Sequence, residues 1–199
     1  MFPAQVSAIL ERLEQAGFAA YAVGGCVRDT LLGRVPQDWD VATSARPEQT
    51  AALFAGRSIP TGLQHGTVTV RQEGLSVEVT TFRADGPYSD HRRPDAVYFS
   101  DSLAEDLCRR DLTVNAMAMD QRGVLTDLHG GREDLRRGLL RCVGEPDRRF
   151  DEDALRIMRT LRFASVLGFT VEERTAAALH RCAPLLGSIA AERLLSEMD

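Results

Sequence analysis

Two aspartates one residue apart, Asp38 and Asp40, stand at the start of the apolar run DWDVAT. Alternate side chains of a strand share a face, so we expect both carboxylates to point one way and Trp39 to point into the core. Their attachment points would lie roughly 6.5 to 7 Å apart. Such carboxylates could hold two Mg²⁺ ions about 3.5–4 Å apart, the separation used in phosphoryl transfer. Oxygen-only ligands favour Mg²⁺ over zinc.

A D-x-D pair by itself is a weak signal, because many instances are solvated strand ends. The Gly24-Gly25 turn strengthens the catalytic interpretation, since glycines between a strand and a helix let the backbone approach a phosphate. Arg28 falls in the first turn of the following helix and could contact the same anion. The alternative is an ordinary left-handed turn in which Arg28 pairs with Asp29.

A third carboxylate, Glu78, alternates with valines in the stretch SVEVTTF. It would lie on the face opposite Val77 and Val79. It is either a further metal ligand or an ordinary solvent-facing acid, and the residues alone leave both open.

The elements that must position these groups form a chain of 199 residues with 44% hydrophobic content, enough for a sizeable core. No apolar run approaches the length of a membrane span, so we expect no membrane association. The four cysteines are scattered without metal-ligand spacing, which favours a reduced, cytoplasmic setting. The net charge of −5 argues against a surface that coats nucleic acid.

Periodicity predicts a mixed α/β head over residues 1–143 and an all-helical segment over residues 144–199. The head is expected to contain a first helix that ends at Gly17, a hairpin around Glu73-Gly74, and a helix that Ser102 and Glu105 begin as a capping box. The expected strands and further helices are 20–23 (strand), 25–33 (helix), 39–43 (strand), 47–54 (helix), 123–128 (strand), 132–138 (helix) and 139–144 (strand). The polar stretch RADGPYSDHRRPDAVYF is long enough to be a functional loop.

The motifs VGGCVRDTLLG, DWDVATSA, VEVTTFR, EDLCRRDLTVNAMAMD, DLHGGREDL and DEDALRIMRTLRFA occur in that order. Together they resemble the class II tRNA nucleotidyltransferases, a family of CCA-adding, CC-adding and A-adding enzymes and bacterial poly(A) polymerases. The resemblance implies an α+β fold: a polymerase β-like nucleotidyltransferase head with a mixed sheet, followed by a helical neck.

The resemblance also implies roles for particular residues. Asp38 and Asp40 match the catalytic metal site, with Glu78 as its possible third ligand. The triphosphate would be bound by the Gly-Gly turn and two arginines, namely Gly24, Gly25, Arg28 and Arg110. For Arg109, next to Arg110, we expect a structural ion pair instead.

The stretch DEDALRIMRTLRF matches the family's base-recognition motif, which implies roles for Asp153, Arg156, Arg159 and Arg162. If all four lie on one helix, Asp153 and Arg156 share a face while Arg162 lies halfway round. Cytosine and adenine both present an amino donor beside a ring-nitrogen acceptor, which a carboxylate and a guanidinium can read together. The residues alone would favour a solvated arginine face balanced by acids, and it is the motif context that favours base recognition instead.

The implied function is template-independent addition of CMP and AMP, from CTP and ATP, to a tRNA 3′ end that serves as primer, with two Mg²⁺ ions as cofactor. The full-length loop before the R-R-D motif favours complete CCA addition or A addition, and GRSIPTGLQHGTVTV lacks the basic stretch of poly(A) polymerases. CC addition, polyadenylation and a degenerate, non-catalytic nucleotide- or RNA-binding relative are the alternatives. Family members continue into further helical domains, so we expect the chain to be a fragment or a truncated product.

Overall fold

The computed structural model of the chain describes residues 2–88 and 96–198. The strands in this part are β1 (Ala20–Val23), β2 (Trp39–Thr43), β3 (Ser58–Gly62), β4 (Thr67–Gln72), β5 (Leu75–Thr81), β6 (Arg83–Asp85), β7 (Val97–Phe99), β8 (Met117–Met119), β9 (Leu125–Asp127), β10 (Leu139–Leu140) and β11 (Thr170–Val171). The α-helices are α1 (Ala4–Gln15), α2 (Gly25–Leu31), α3 (Pro47–Leu53), α4 (Leu103–Cys108), α5 (Gly131–Arg137), α6 (Pro146–Glu152), α7 (Leu155–Leu167), α8 (Glu173–Cys182) and α9 (Ala191–Ser196).

Seven of the strands form one mixed sheet in the order β3-β4-β5-β2-β1-β8-β9. The central pair β2 and β5 is parallel, and it places Asp40 directly beside Glu78. The other neighbouring strands of this sheet run antiparallel. The α+β fold class expected from the sequence is confirmed.

The hairpin of β4 and β5 shows how local sequence determines this sheet. Glu73 and Gly74 have φ values of 46° and 83°. Two successive positive φ values define a type I′ turn, whose twist matches that of the flanking strands. The predicted hairpin is therefore confirmed.

Helices pack on both faces of the sheet, over a large hydrophobic cluster on one face and a small one on the other. Val6, Ile9, Leu10 and Leu13 of α1 are fully buried in the main core, as their spacing predicts. On the opposite face Leu107 of α4 packs in a smaller cluster with residues of β1, β2 and β8. The part of this face that carries Asp40 and Glu78 is less buried.

Three parts of the architecture differ from the sequence-based expectation. β3 was not expected, because its Pro60 argues against a strand, and it is tolerated since β3 lies at the edge of the sheet. β8 was missed because Met117–Met119 is short and lacks β-branched residues. The polar stretch after β5 begins and ends as the two-stranded ribbon of β6 and β7, while its residues 89–95 lie outside the described residues.

The expectation that only helices, divided at Gly168 and Pro184, follow Arg148 is wrong in two places. The chain is extended at Asp153, with φ −142° and ψ 102°, which separates α6 from α7. The two-residue strand β11 pairs in parallel with β10. The main core also continues across residue 143, because Phe150, Ile157 and Phe163 pack in the same cluster as α1.

No helix within residues 2–88 and 96–198 has both the length and the apolar character needed to cross a membrane.

Candidate nucleotide-binding and catalytic cleft

A cleft of about 1060 Å³ runs between the sheet and the helices α7 and α9. Ten of the sequence-predicted site residues line it: Gly24, Gly25, Arg28, Asp38, Asp40, Arg110, Asp153, Arg156, Arg159 and Arg162. Residues far apart in the chain thus meet in one cavity, which has the size of a small-ligand site.

The two aspartates lie at the edge where β2 begins. Asp38 is exposed just before the strand, and Asp40 is partly buried within it. Trp39 points to the other side, where it is 5% exposed and packs edge-on against Phe2 at 5.6 Å. The expected alternation along DWD is therefore present.

The electrostatics of Asp40 fit a cation site. Burial raises the pKa of the Asp40 carboxyl to about 6, opposed by Arg110 and reinforced by the carboxylates of Glu78 and Asp38. Several carboxylates that destabilise one another's charge are stabilised by a shared cation. Their oxygen atoms are the donors that magnesium prefers. Asp38 and Asp40 therefore have the chemistry required of ligands for a divalent metal.

Glu78 is the register neighbour of Asp40 on β5, so the two side chains leave the same face of the sheet. Glu78 is exposed, however, and does not line the cleft. Within the described residues no group of three His, Cys, Asp or Glu side chains is arranged to hold a metal ion. The structure thus places Glu78 beside Asp40 without assembling a three-carboxylate cluster.

The Gly-Gly turn brings the backbone close to both a carboxylate and an arginine. Gly24 has φ 78° and ψ −133°, a conformation that side-chain-bearing residues avoid. A Cβ atom there would lie 2.9 Å from Arg110 Nη1 and 4.0 Å from Asp40 Oδ2. Glycine at this position therefore leaves room for the Arg110 guanidinium next to Asp40.

Arg110 is oriented by one ion pair at the edge of the cleft. Its Nη2 donates to Asp106 Oδ2 at 2.9 Å, while its buried Nε has no hydrogen-bond partner among the residues that the structure describes. Arg109 donates from both Nε and Nη2 to Asp106 Oδ1, at 2.9 and 2.8 Å. The ion pair expected for Arg109 is present, and the same buried Asp106 orients Arg110.

Arg28 forms the expected pair with Asp29 and also lines the cleft. Nε and Nη2 donate to the two Asp29 carboxylate oxygens at 2.8 and 2.9 Å, which is the expected structural pair. Its guanidinium nevertheless lines the cleft and lies 5.0 Å from the centre of the Phe163 ring.

Asp153 and Arg156 meet at the cleft, but not as neighbours on one helix. Asp153 stands in the extended break before α7, where its Oδ1 accepts from the Leu155 backbone N–H at 3.1 Å. Aspartate favours such positions because its carboxylate satisfies an otherwise unpaired donor of the first helical turn. The expected single helical stripe that includes Asp153 is therefore wrong. The break between α6 and α7 determines the direction in which the Asp153 carboxylate points.

The Arg156 guanidinium is buried and held by protein groups. Its Nη1 donates to Glu152 Oε2 at 2.9 Å and to the Arg149 carbonyl at 3.2 Å, and Nη2 donates to the Arg109 carbonyl at 3.1 Å. Burial is the main cause that raises the pKa of Asp153, while Arg156 opposes the rise. The pair is thus fixed in place beside the cleft.

Arg159 and Arg162 continue along α7 and surround an aromatic ring. Arg159 pairs with Asp111 at 2.8 Å and Arg162 with Glu197 at 2.8 Å. Their guanidinium carbons lie 5.7 and 4.5 Å from the centre of the Phe163 ring. Both arginines are therefore positioned by acids rather than free in solvent.

Several cleft residues were not singled out from the sequence. Asn115, Phe163 and Glu197 line the cavity. The buried Asp106 forms ion pairs with Arg109 and Arg110, which also line it. Asn115 and Asp106 both fall within EDLCRRDLTVNAMAMD, so the motif itself was the available signal. Phe163 likewise falls within DEDALRIMRTLRFA, whereas Glu197 carried no signal, because a surface acid in a helical pattern is ordinary.

Comparison with known proteins agrees with this geometry. A family model described as the poly A polymerase head domain matches residues 20–141, and one described as a probable RNA and SrmB-binding site of polymerase A matches residues 168–199. The chain is 52% identical over 195 residues to the CCA-adding enzyme of Geobacillus kaustophilus (strain HTA426), covering 98% of this chain and 48% of that relative.

Two examples from the solved structures show the similarity between their folds and that of this chain. The crystal structure of the Bacillus stearothermophilus CCA-adding enzyme in complex with CTP has a TM-score of 0.92 at 48% identity, covering 100% of this chain and 48% of that one. A tRNA nucleotidyltransferase complexed with a primer tRNA and an incoming ATP analog has a TM-score of 0.77 at 32% identity, covering 96% and 54%. The chain spans about half the length of the curated relatives it matches.

The seven-stranded sheet and its flanking helices have the head fold found in the CCA-adding enzyme structures. The chain belongs to the family of the poly A polymerase head domain, which includes the tRNA nucleotidyltransferases. Members of this family generally use divalent metal ions.

Proposed function

We propose that the chain is the nucleotide-binding and catalytic part of a CCA-adding tRNA nucleotidyltransferase. The observation that carries the proposal is the single cleft in which Asp38 and Asp40 face Arg28, Arg110 and the Asp153–Arg156 pair. The similarity to CCA-adding enzymes supports the same activity. CTP and ATP would be the substrates and a tRNA 3′ end the primer.

We propose that Asp38 and Asp40 hold two Mg²⁺ ions. Glu78, which lies beside Asp40 on the neighbouring strand, would be a possible third ligand. The metal would supply Lewis-acid activation of the primer hydroxyl and charge neutralisation of the triphosphate. The Gly24-Gly25 turn would admit the phosphates, and Arg110 would donate to them from its Nη1. Arg28 would contact the same anion with the N–H groups that Asp29 and Asn115 leave free.

We propose that base choice depends on Asp153 and Arg156. Because both are held at fixed positions beside the cleft, a base with the wrong donor–acceptor order would leave buried polar groups unpaired. Arg159 and Arg162 would follow the ligand along α7. We propose that residues 1–143 are the catalytic head and that residues 144–199 are the base-recognising neck. The two parts share one hydrophobic core.

We also propose a cytoplasmic location, where tRNA matures and thiols stay reduced. The four cysteines are free thiols in the structure.

The test is extension, with radiolabelled CTP or ATP, of tRNA transcripts that end before CCA, after C and after CC. Asp38→Ala and Asp40→Ala should abolish incorporation and leave thermal unfolding near that of the parent chain. Asp101→Ala is the matched control, because Asp101 is a surface carboxylate with its side chain 80% exposed, outside the cleft. Near-normal incorporation by either cleft variant would contradict the catalytic assignment. A parent chain that binds no nucleotide would contradict the proposed function as a whole.

A further inference from the structure

The side chain of Asn115 bridges two charged groups that lie on different elements. Its Oδ1 accepts a hydrogen bond of 2.7 Å from Arg28 Nη1, across 87 positions in sequence. Its Nδ2 donates to Asp111 Oδ1 at 3.4 Å. Asn115 is 6% exposed and belongs to a 3₁₀ turn, Thr113–Asn115, that packs beside α2.

Only a side chain that both accepts and donates can make this bridge. An arginine offers donors alone, and an ionised carboxylate offers acceptors alone. The amide therefore has one orientation that satisfies both neighbours, with oxygen toward Arg28 and nitrogen toward Asp111. Its position and its orientation are both determined by the charges around it.

The bridge completes the restraint of Arg28 without using up its donors. Nε and Nη2 are held by Asp29, and Nη1 is held by Asn115. A guanidinium has five N–H groups, so one on each terminal nitrogen remains for a ligand. The guanidinium carbon also lies over the Phe163 ring, 5.0 Å from its centre, so three hydrogen bonds and one aromatic contact hold the guanidinium in place.

The other end of the bridge leads to α7. Asp111 accepts from Arg159 Nε at 2.9 Å and also from the Leu112 backbone N–H at 2.8 Å. The hydrogen-bonded sequence Arg28–Asn115–Asp111–Arg159 thus joins the helix after the Gly-Gly turn to the helix that carries Arg156.

We infer that Asn115 is a positioning residue for triphosphate binding. It orients the Arg28 guanidinium toward the phosphates and fixes the position of that guanidinium relative to α7. The inference rests on the proposed function, in which Arg28 contacts the triphosphate. Asn115 itself need not touch the nucleotide, since it acts through Arg28.

The test is a binding comparison between CTP and CMP, measured by calorimetry with Ca²⁺ in place of Mg²⁺ so that no turnover occurs. Asn115→Ala should weaken CTP and ATP binding by roughly tenfold, the loss expected for one hydrogen bond to a charged group. CMP, which lacks the two outer phosphates and is measured by displacement of CTP, should bind almost as it does to the parent chain. A purely structural role would weaken CTP and CMP alike.

A double-mutant cycle with Arg28→Ala tests whether the effect passes through Arg28. In that background Asn115→Ala should cause no further loss of CTP affinity. Thr113→Val is the matched control: Thr113 lies in the same buried turn, but its hydroxyl donates to Asp134 Oδ2 at 2.6 Å, on the side of α5. It should leave the CTP-to-CMP affinity ratio unchanged.

Equal weakening of CTP and CMP, or additive losses in the cycle, would overturn the inference while leaving the proposed function standing. A parent chain that binds neither CTP nor ATP would overturn both. If Asn115→Ala does not fold, Asn115→Ser is the alternative variant, because it keeps a hydroxyl in the polar pocket but is too short to bridge Arg28 and Asp111. The same comparison of CTP and CMP affinity then tests the inference.

Discussion

Gly24→Ala would introduce one methyl group at the point where the Gly-Gly turn, Arg110 and Asp40 come together. The backbone there has φ 78° and ψ −133°, a region that alanine enters at a cost of about 1–3 kcal/mol. The new Cβ would lie 2.9 Å from Arg110 Nη1, so that guanidinium must move. The Asn115 carbonyl at 3.8 Å and Asp40 Oδ2 at 4.0 Å are ordinary contacts and can stay.

Two separate effects follow from this geometry. The backbone strain should lower the free energy of unfolding by about 1–3 kcal/mol. The displaced Arg110 should lose a charge-assisted hydrogen bond to the phosphates, worth about 1.5–3 kcal/mol. CTP affinity should therefore fall by about tenfold to more than a hundredfold.

The assays are urea unfolding for stability and calorimetry with CTP and Ca²⁺ for affinity. Gly33→Ala is the matched control: it has φ 70° and no atom within 4 Å of its added Cβ, so it carries backbone strain without a displaced arginine. In an Arg110→Ala background, Gly24→Ala should cause no additional loss of affinity. If Gly24→Ala binds CTP as well as Gly33→Ala does, the close approach of Gly24 to Arg110 has no part in phosphate binding.

Two further predictions concern Asp153 of the neck and Asp111, which pairs with Arg159 of the neck. Asp153→Ala should reduce the preference for CTP and ATP over UTP and GTP by roughly tenfold or more while the triphosphate contacts keep some affinity. Calorimetry with the four nucleotides is the measurement, and an unchanged preference would exclude Asp153 from base choice. Burial by itself would raise the pKa of Asp111, but Arg159 and the hydrogen bond from the Leu112 backbone N–H together lower it to about 2. The stabilisation by the Asp111 carboxylate is therefore complete above the unfolded-state pKa near 4 and is lost as pH falls toward 2. Urea unfolding between pH 5 and pH 2 should show the parent chain losing about 2 kcal/mol more than Asp111→Asn, and parallel pH profiles would contradict this.

Local pattern was sufficient wherever a structure depends on neighbouring residues. The type I′ hairpin followed from Glu73-Gly74 between alternating runs, and the core face of α1 followed from its periodicity. The alternation of Asp38, Trp39 and Asp40 followed from strand geometry. These features depend on steric preferences within a few residues, which the sequence displays directly.

Local pattern failed where a distant or competing contact decides the conformation. Helical periodicity predicted one helix through Asp153, but this carboxylate satisfies the Leu155 N–H instead and breaks the helix. The parallel pair β10 and β11 exists only because the chain returns after α7 to the edge that Leu139 and Leu140 present.

The amino-acid sequence by itself identified ten of the residues that line the cleft, because motifs that resemble a known family mark the paired aspartates, the Gly-Gly turn and the arginines. Only the tertiary structure decided how each group is held. Arg28 meets Asn115 from 87 positions away, and Asp111 meets Arg159 from 48 positions away. Such pairs are selected by the packing of α2 and α7 around one core, and nothing in the spacing of either partner specifies them.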